Sequence, residues 1–189
     1  MPIYTIPNVI TILRIVAIPV LATVFYLPLP HAREICAALF GIAAVTDWLD
    51  GYLARRWQQT SPFGAFLDPV ADKLMVVIAL ILLLQSHPSV PMALSVAVIV
   101  GRELTVSALR EWMAEIGLRA SIAVSMLGKF KTTFQMIAVF LLLYQHPIGP
   151  IPIWDIGLIL LYIAVALTLA SMIVYLNAAW LALVGRVEN

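Results

Sequence analysis

Apolar runs of about twenty residues, the length that crosses a bilayer as a helix, follow one another along this chain. Several close in short proline-bearing turns: Pro28-Leu29-Pro30, Ser86-His87-Pro88 and Gln145-His146-Pro147. The runs are long rather than alternating, which points to helices and away from a β-barrel. With 189 residues, 63% of them hydrophobic, 11% charged and a mean hydropathy of +1.03, the chain holds more apolar surface than a soluble domain of this size can hide. The expectation is an all-α integral membrane protein, one domain over residues 1–189, with six transmembrane helices. The spans are placed at roughly 8–27, 32–57, 62–85, 91–113, 125–144 and 154–183, after a short interfacial lead-in through Pro7. The last, at roughly 30 residues, exceeds the ~20 needed to cross and should tilt or protrude. The N-terminus shows no basic stretch before an apolar core and no small-residue cleavage site, so no removable signal peptide is expected.

Basic residues orient the bundle. With six spans, one side and the helix ends nearest it hold Arg14, Arg55, Arg56, Lys73, Arg102, Arg110, Arg119, Lys129, Lys131 and Arg186, whereas the other holds Arg33 alone. Ten against one places both termini and the polar site at the cytosolic face of the cell (inner) membrane. A net charge of +1 gives no reason to expect nucleic acid.

That polar site is the stretch from Asp47 to Asp72. Asp47 and Asp50 are three apart, and Asp68 and Asp72 four apart, so on helices each pair occupies one face. Gly51 and Ala54 extend the first stripe and leave backbone bare beside the carboxylates. The turn 58–62 lets the two helices run antiparallel and the pairs face each other, and Ser61 before Pro62 is a helix-start signature. Four converging carboxylates in apolar surroundings call for protons or cations. Oxygen-only ligands favour Mg²⁺ or Mn²⁺, and two such ions about 3.5–4 Å apart form a clamp for in-line displacement at phosphorus. The bland alternative is a set of caps and surface charges at a membrane boundary.

Other polar residues fall into groups. Asn8, Thr11 and Arg14 are three apart on one face of the first span; Arg14 either snorkels to the interface or turns towards the acids. Pro69, inside the third span, frees a carbonyl and either kinks the helix or is accommodated by packing. Arg102 and Glu103 lie well inside the fourth span and suit an internal polar network, with Glu103, Ser107 and Arg110 on one face. The single Cys36 reads as a small buried apolar side chain. His31, His87 and His146 fall in turns opposite the acids, where no metal role is expected. Metals with surrounding cations ask for phosphate groups: the physics stops at metal-assisted phosphoryl or phosphatidyl transfer at the cytosolic face.

The pattern Asp47-x2-Asp50-Gly51-x2-Ala54-Arg55-x8-Gly64-x3-Asp68-x3-Asp72 resembles the complete signature of the CDP-alcohol phosphatidyltransferase family. Pro7-Asn8, Thr11 and Arg14 resemble the family's first helix. Arg102-Glu103, the run Ser107 to Trp112, and Gly128-Lys129-x-Lys131-Thr132 resemble its bacterial members that use glycerol 3-phosphate. The resemblance implies that Asp47, Asp50, Asp68 and Asp72 hold two divalent ions, with Asp72 also the general base. CDP-diacylglycerol would lie along Gly51, Ala54, Arg55 and Gly64, with Asn8, Thr11, Arg14 and Thr60 nearby, and the bare backbone at Gly51 and Gly64 suits that close approach. The phosphate of the acceptor would be held by Arg110, Arg119, Lys129 and Lys131; the competing account of these four is the positive-inside bias alone. Glycerol 3-phosphate is the implied acceptor, membrane lipid the surroundings and a homodimer the implied assembly. The same chemistry on inositol phosphate, serine or phosphatidylglycerol is the nearest alternative, although a basic pocket argues against serine. An ion or proton transporter is the non-enzyme alternative; it calls for charges near the midplane rather than at one interface.

Overall fold

The computed structural model describes residues 6–57, 62–117 and 126–187, and these are all-helical apart from turns. Six helices follow in order: α1 (Ile6–Tyr26), α2 (Ala32–Trp57), α3 (Pro62–Ser86), α4 (Val90–Glu115), α5 (Met126–Tyr144) and α6 (Ile153–Val187). Among the described residues, three stretches are long and apolar enough to cross a membrane: Asn8–Tyr26, Val90–Glu115 and Ile153–Leu181. At 35 residues, α6 is about 52 Å long at 1.5 Å per residue. The first helix starts at Ile6, earlier than the expected lead-in allows. Pro7 sits in its first turn, where the missing N–H has no intrahelical partner to lose. Pro69 does not end α3. Ser61 lies outside the described residues.

The chain forms two compact units. The first comprises 1–88 and 139–157, so it contains α1 to α3, the end of α5 and the start of α6. Here α1 packs on both α2 and α3, while α2 and α3 touch each other much less. Leu21, Phe25, Cys36, Ala37, Phe40, Ala71, Ala79, Leu80 and Leu83 make its buried core. Cys36 fills a small space there, with Sγ 3.7 Å from the Leu21 carbonyl oxygen. Two glycines permit close approach: a Cβ on Gly41 would lie 3.1 Å from the Phe140 ring, and one on Gly157 would lie 2.9 Å from Leu142 Cγ. The connection after α5 turns back at 148–151, where Ile148 and Ile151 exchange backbone hydrogen bonds of 3.2 and 3.1 Å. Gly149 takes the left-handed conformation this turn needs (φ +59°), and Pro150 supplies its fixed φ at the next position. The three histidines lie at this end. His31 and His146 approach Glu34 at 3.5 and 3.6 Å, while the His87 ring packs on Trp154. Burial, then the charge of Arg33, holds His87 below its ordinary imidazole value.

The second unit comprises 89–138 and 158–189. Ser89 caps α4 by accepting from the Met92 backbone N–H (3.3 Å), with Pro91 in the first turn. The helix ends at Glu115 with Ile116 as its cap, and Gly117 follows with a φ of +79° that suits the residue after a helix C-terminus. Met92, Val96, Ile99, Val106, Met113, Ala164 and Ala179 are buried here. So are Arg102, Lys131, Thr168 and Ser171, a polar set that must find partners within the protein.

Candidate active site

Three residues at helical spacing on α1 organise the first polar cluster. Asn8, Thr11 and Arg14 are all buried. Thr11 Oγ1 donates to Asp68 Oδ1 at 2.6 Å. Arg14 Nη1 donates to Asp47 Oδ1 at 2.6 Å and to Asp72 Oδ1 at 2.7 Å. One guanidinium nitrogen on α1 thus joins a carboxylate from α2 to one from α3. Arg14 does not snorkel: its side chain is 2% exposed and points at the acids. Thr11 and Arg14 lie about 4.5 Å apart along the helix axis, so Asp68 is held one turn from the Asp47–Asp72 pair. The geometry follows from the packing, since α1 rests against both helices that carry the acids.

Charge and exposure divide unequally. The Asp47 and Asp72 side chains are 37% and 47% exposed, whereas the arginine between them is buried. Both carboxylates are therefore only partly buried. Arg14 supplies one positive charge to the two carboxylates of Asp47 and Asp72. Among the described residues no three acidic, histidine or cysteine side chains gather on one point: Asp47 and Asp72 meet, and Asp68 stands a turn away on Thr11. The side chain of Asp50 lies outside the described residues. What is described still fits a hard divalent cation. The donors are oxygens only and they come from two helices.

The remaining residues expected at the nucleotide are only partly placed. Gly64 is buried on α3. Gly51, Ala54 and Arg55 lie on α2, with side-chain positions outside the described set, and Thr60 lies outside the described residues altogether.

The second unit carries a separate polar cluster. Glu103 Oε1 accepts from Arg102 Nη1 at 3.1 Å and from Lys131 Nζ. Arg102 Nη2 lies 3.5 Å from Ser171 Oγ. Arg110 Nη2 donates to the Tyr175 hydroxyl at 2.7 Å. Arg102 and Glu103 thus form the internal network expected of charges well inside a helix, and Lys131, read from sequence as a phosphate ligand, is bonded into it. Arg119 lies outside the described residues; Lys129 is on α5, its side chain likewise undescribed. Sequence reasoning overlooked Ser171 and Tyr175. The available signal was Thr168, Ser171 and Tyr175 at three- and four-residue spacing, a polar stripe on an otherwise apolar helix.

The family profile for CDP-alcohol phosphatidyltransferase matches residues 4–182, nearly the whole chain. The chain belongs to the CDP-alcohol phosphatidyltransferase family. A CDP-diacylglycerol–glycerol-3-phosphate 3-phosphatidyltransferase of Pectobacterium atrosepticum is 53% identical over 177 residues, which cover 93% of this phosphatidyltransferase and 95% of the relative. Proteins of the same name from Salmonella choleraesuis and Shigella flexneri are 49% and 48% identical over 176 residues, with the same coverage. The match extends over both polar clusters of the phosphatidyltransferase and is not confined to its acidic signature.

Proposed function

We propose that the chain transfers the phosphatidyl group of CDP-diacylglycerol to sn-glycerol 3-phosphate, giving phosphatidylglycerol phosphate and CMP. The observation that carries the reading is the meeting of Asp47 and Asp72 on Arg14, with Asp68 one helical turn away, in a chain about half identical over almost its full length to proteins named for this reaction.

Asp47, Asp50, Asp68 and Asp72 would hold two divalent ions, Mg²⁺ or Mn²⁺. Bound there, the ions would neutralise the diphosphate of CDP-diacylglycerol and the charge left on CMP. Arg14 fixes the rotamers of Asp47 and Asp72 and keeps the two carboxylates together without exposing itself. Thr11 does the same for Asp68. The nucleotide would lie along Gly51, Ala54, Arg55 and Gly64, with Asn8 and Thr60 beside it. Asp72, half exposed, takes the proton of the acceptor hydroxyl. The hydroxyl oxygen then bonds to the phosphorus that carries the diacylglycerol, the bond from that phosphorus to the CMP oxygen breaks, and CMP leaves with the electron pair. Arg110, Arg119 and Lys129 would bind the phosphate of the acceptor, while Lys131, buried on Glu103, would support that pocket through the Glu103 network.

The setting follows from the sequence. Six spans with both termini in the cytoplasm, at the inner membrane, put the acids where a lipid substrate and a soluble phosphate both reach them. Residues 1–189 act as one domain of the family, and a homodimer in membrane lipid is the proposed assembly.

The test is CMP release by the purified protein in detergent with CDP-diacylglycerol and Mg²⁺, comparing glycerol 3-phosphate, inositol phosphate and serine. Release with glycerol 3-phosphate alone, abolished by Asp72→Asn, is the expected result. Release with another acceptor would overturn the assignment of the basic pocket while leaving the acidic site its role.

A further inference from the structure

Tyr175, buried on α6, lies beside two cations of the second unit, Arg102 and Arg110. Its ring lies 5.2 Å from the Arg110 guanidinium carbon and 5.5 Å from that of Arg102, within the range where a cation is drawn to an aromatic face. Its hydroxyl accepts from Arg110 Nη2 at 2.7 Å. Ser171, one turn earlier on α6, meets Arg102, so α6 contributes two neutral oxygens to a cluster of charged residues on α4 and α5.

Among the described residues, Arg102, Lys131 and Arg110 are treated differently. Arg102 and Lys131 share the carboxylate of Glu103, which offsets much of their charge. Arg110 is oriented by a neutral phenol, a partner that restrains the guanidinium without cancelling it. A carboxylate in that place would hold Arg110 as firmly but would compete with an incoming anion. A phenylalanine would keep the aromatic surface and lose the anchor, leaving a long side chain to spend entropy on ordering when the anion binds.

We infer that Tyr175 is a positioning residue for the acceptor: through its hydroxyl it holds Arg110 in the rotamer that receives the phosphate of glycerol 3-phosphate. The inference rests on the reading above that Arg110 binds that phosphate. Tyr175 itself touches no reacting atom in this account, and its effect passes wholly through Arg110.

Steady-state kinetics on the full chain in detergent micelles tests this with Tyr175→Phe, Arg110→Gln and the double variant, each substrate varied at saturating levels of the other. Tyr175→Phe should raise KM for glycerol 3-phosphate roughly ten- to hundredfold, the loss expected for one hydrogen bond to a charged group, and leave KM for CDP-diacylglycerol within about twofold, less than any lost hydrogen bond would give. In the Arg110→Gln background the same substitution should add nothing, because the group it positions is gone. An unchanged KM for glycerol 3-phosphate in Tyr175→Phe, an equal rise in both KM values, or an additive effect in the double variant overturns the inference while Arg110 keeps its role. An unchanged KM in Arg110→Gln overturns the acceptor site itself, and the role of Tyr175 with it.

Discussion

Replacing Arg14 by methionine keeps the apolar stem and removes the nitrogen on which Asp47 and Asp72 meet. The loss includes the two charge-assisted bonds to Asp47 and Asp72, at 2.6 and 2.7 Å. Each is worth about 1.5–3 kcal/mol, but the carboxylates are 37% and 47% exposed and water screens part of the attraction. The lower part of the range, about 3–4 kcal/mol for the two together, is therefore the expected loss. At roughly 2–4 °C per kcal/mol for a chain of this size, Tm should fall by about 6–16 °C in detergent containing EDTA. The two carboxylates would then face each other without a cation, so added Mg²⁺ should raise Tm more in the variant than in the parent. Both bonds leave a single nitrogen, so Arg14→Lys, with one ammonium on a shorter stem, should retain about half of the stability that Arg14→Met loses. A metal-free Tm for Arg14→Met within about 2 °C of the parent, less than 1 kcal/mol at this chain length, would refute the reasoning. It would mean that the bridge between α2 and α3 contributes nothing measurable.

Thr11→Val preserves shape and loses the 2.6 Å bond to Asp68; it should cost about 1–2 kcal/mol, read as a lower Tm, and should weaken Mg²⁺ binding followed by titration calorimetry. Glu103→Gln leaves Arg102 and Lys131 buried around an amide and should cost about 3 kcal/mol, whereas the double variant with Lys131→Met should recover part of that in the same thermal assay, because removing both partners costs less than removing one. Gly157→Ala places a Cβ 2.9 Å from Leu142 Cγ and should destabilise by about 1–3 kcal/mol. Gly101→Ala, on α4 with nothing within 4 Å, should stabilise by about 0.5–1 kcal/mol; equal shifts from the two alanines would contradict the packing described at Gly157.

The helices were legible because proline turns and apolar run lengths leave few alternatives. The expected span 32–57 coincides with α2, and the other spans end within a few residues of their helices. The apolar span begins at Asn8 as expected, while α1 itself starts two residues earlier at Ile6, because Pro7 suits a first helical turn as readily as a loop. The acidic site was legible from spacing, since Asp47, Asp68 and Asp72 fall on faces that any helix would give them. The partner of Arg14 was not: its position in the span allowed snorkelling and pairing alike, and only the packing of α1 against both α2 and α3 decides between them. Lys131 presents the same difficulty. Its tie to Glu103 joins residues 28 apart in sequence, a distance over which periodicity carries no information. Tyr175 went unnoticed because a phenol on an apolar helix reads as bulk until Arg110 is seen on its hydroxyl.

The central claim is that this chain joins a phosphatidyl group to glycerol 3-phosphate, and the product itself is the most direct readout. The purified protein would be incubated with CDP-diacylglycerol, Mg²⁺ and carbon-labelled glycerol 3-phosphate, and the lipid extract analysed by mass spectrometry beside the CMP released. The account predicts labelled phosphatidylglycerol phosphate in equal amount to CMP, and neither product from Asp72→Asn. CMP accompanied by phosphatidic acid, or by no labelled lipid, would contradict it.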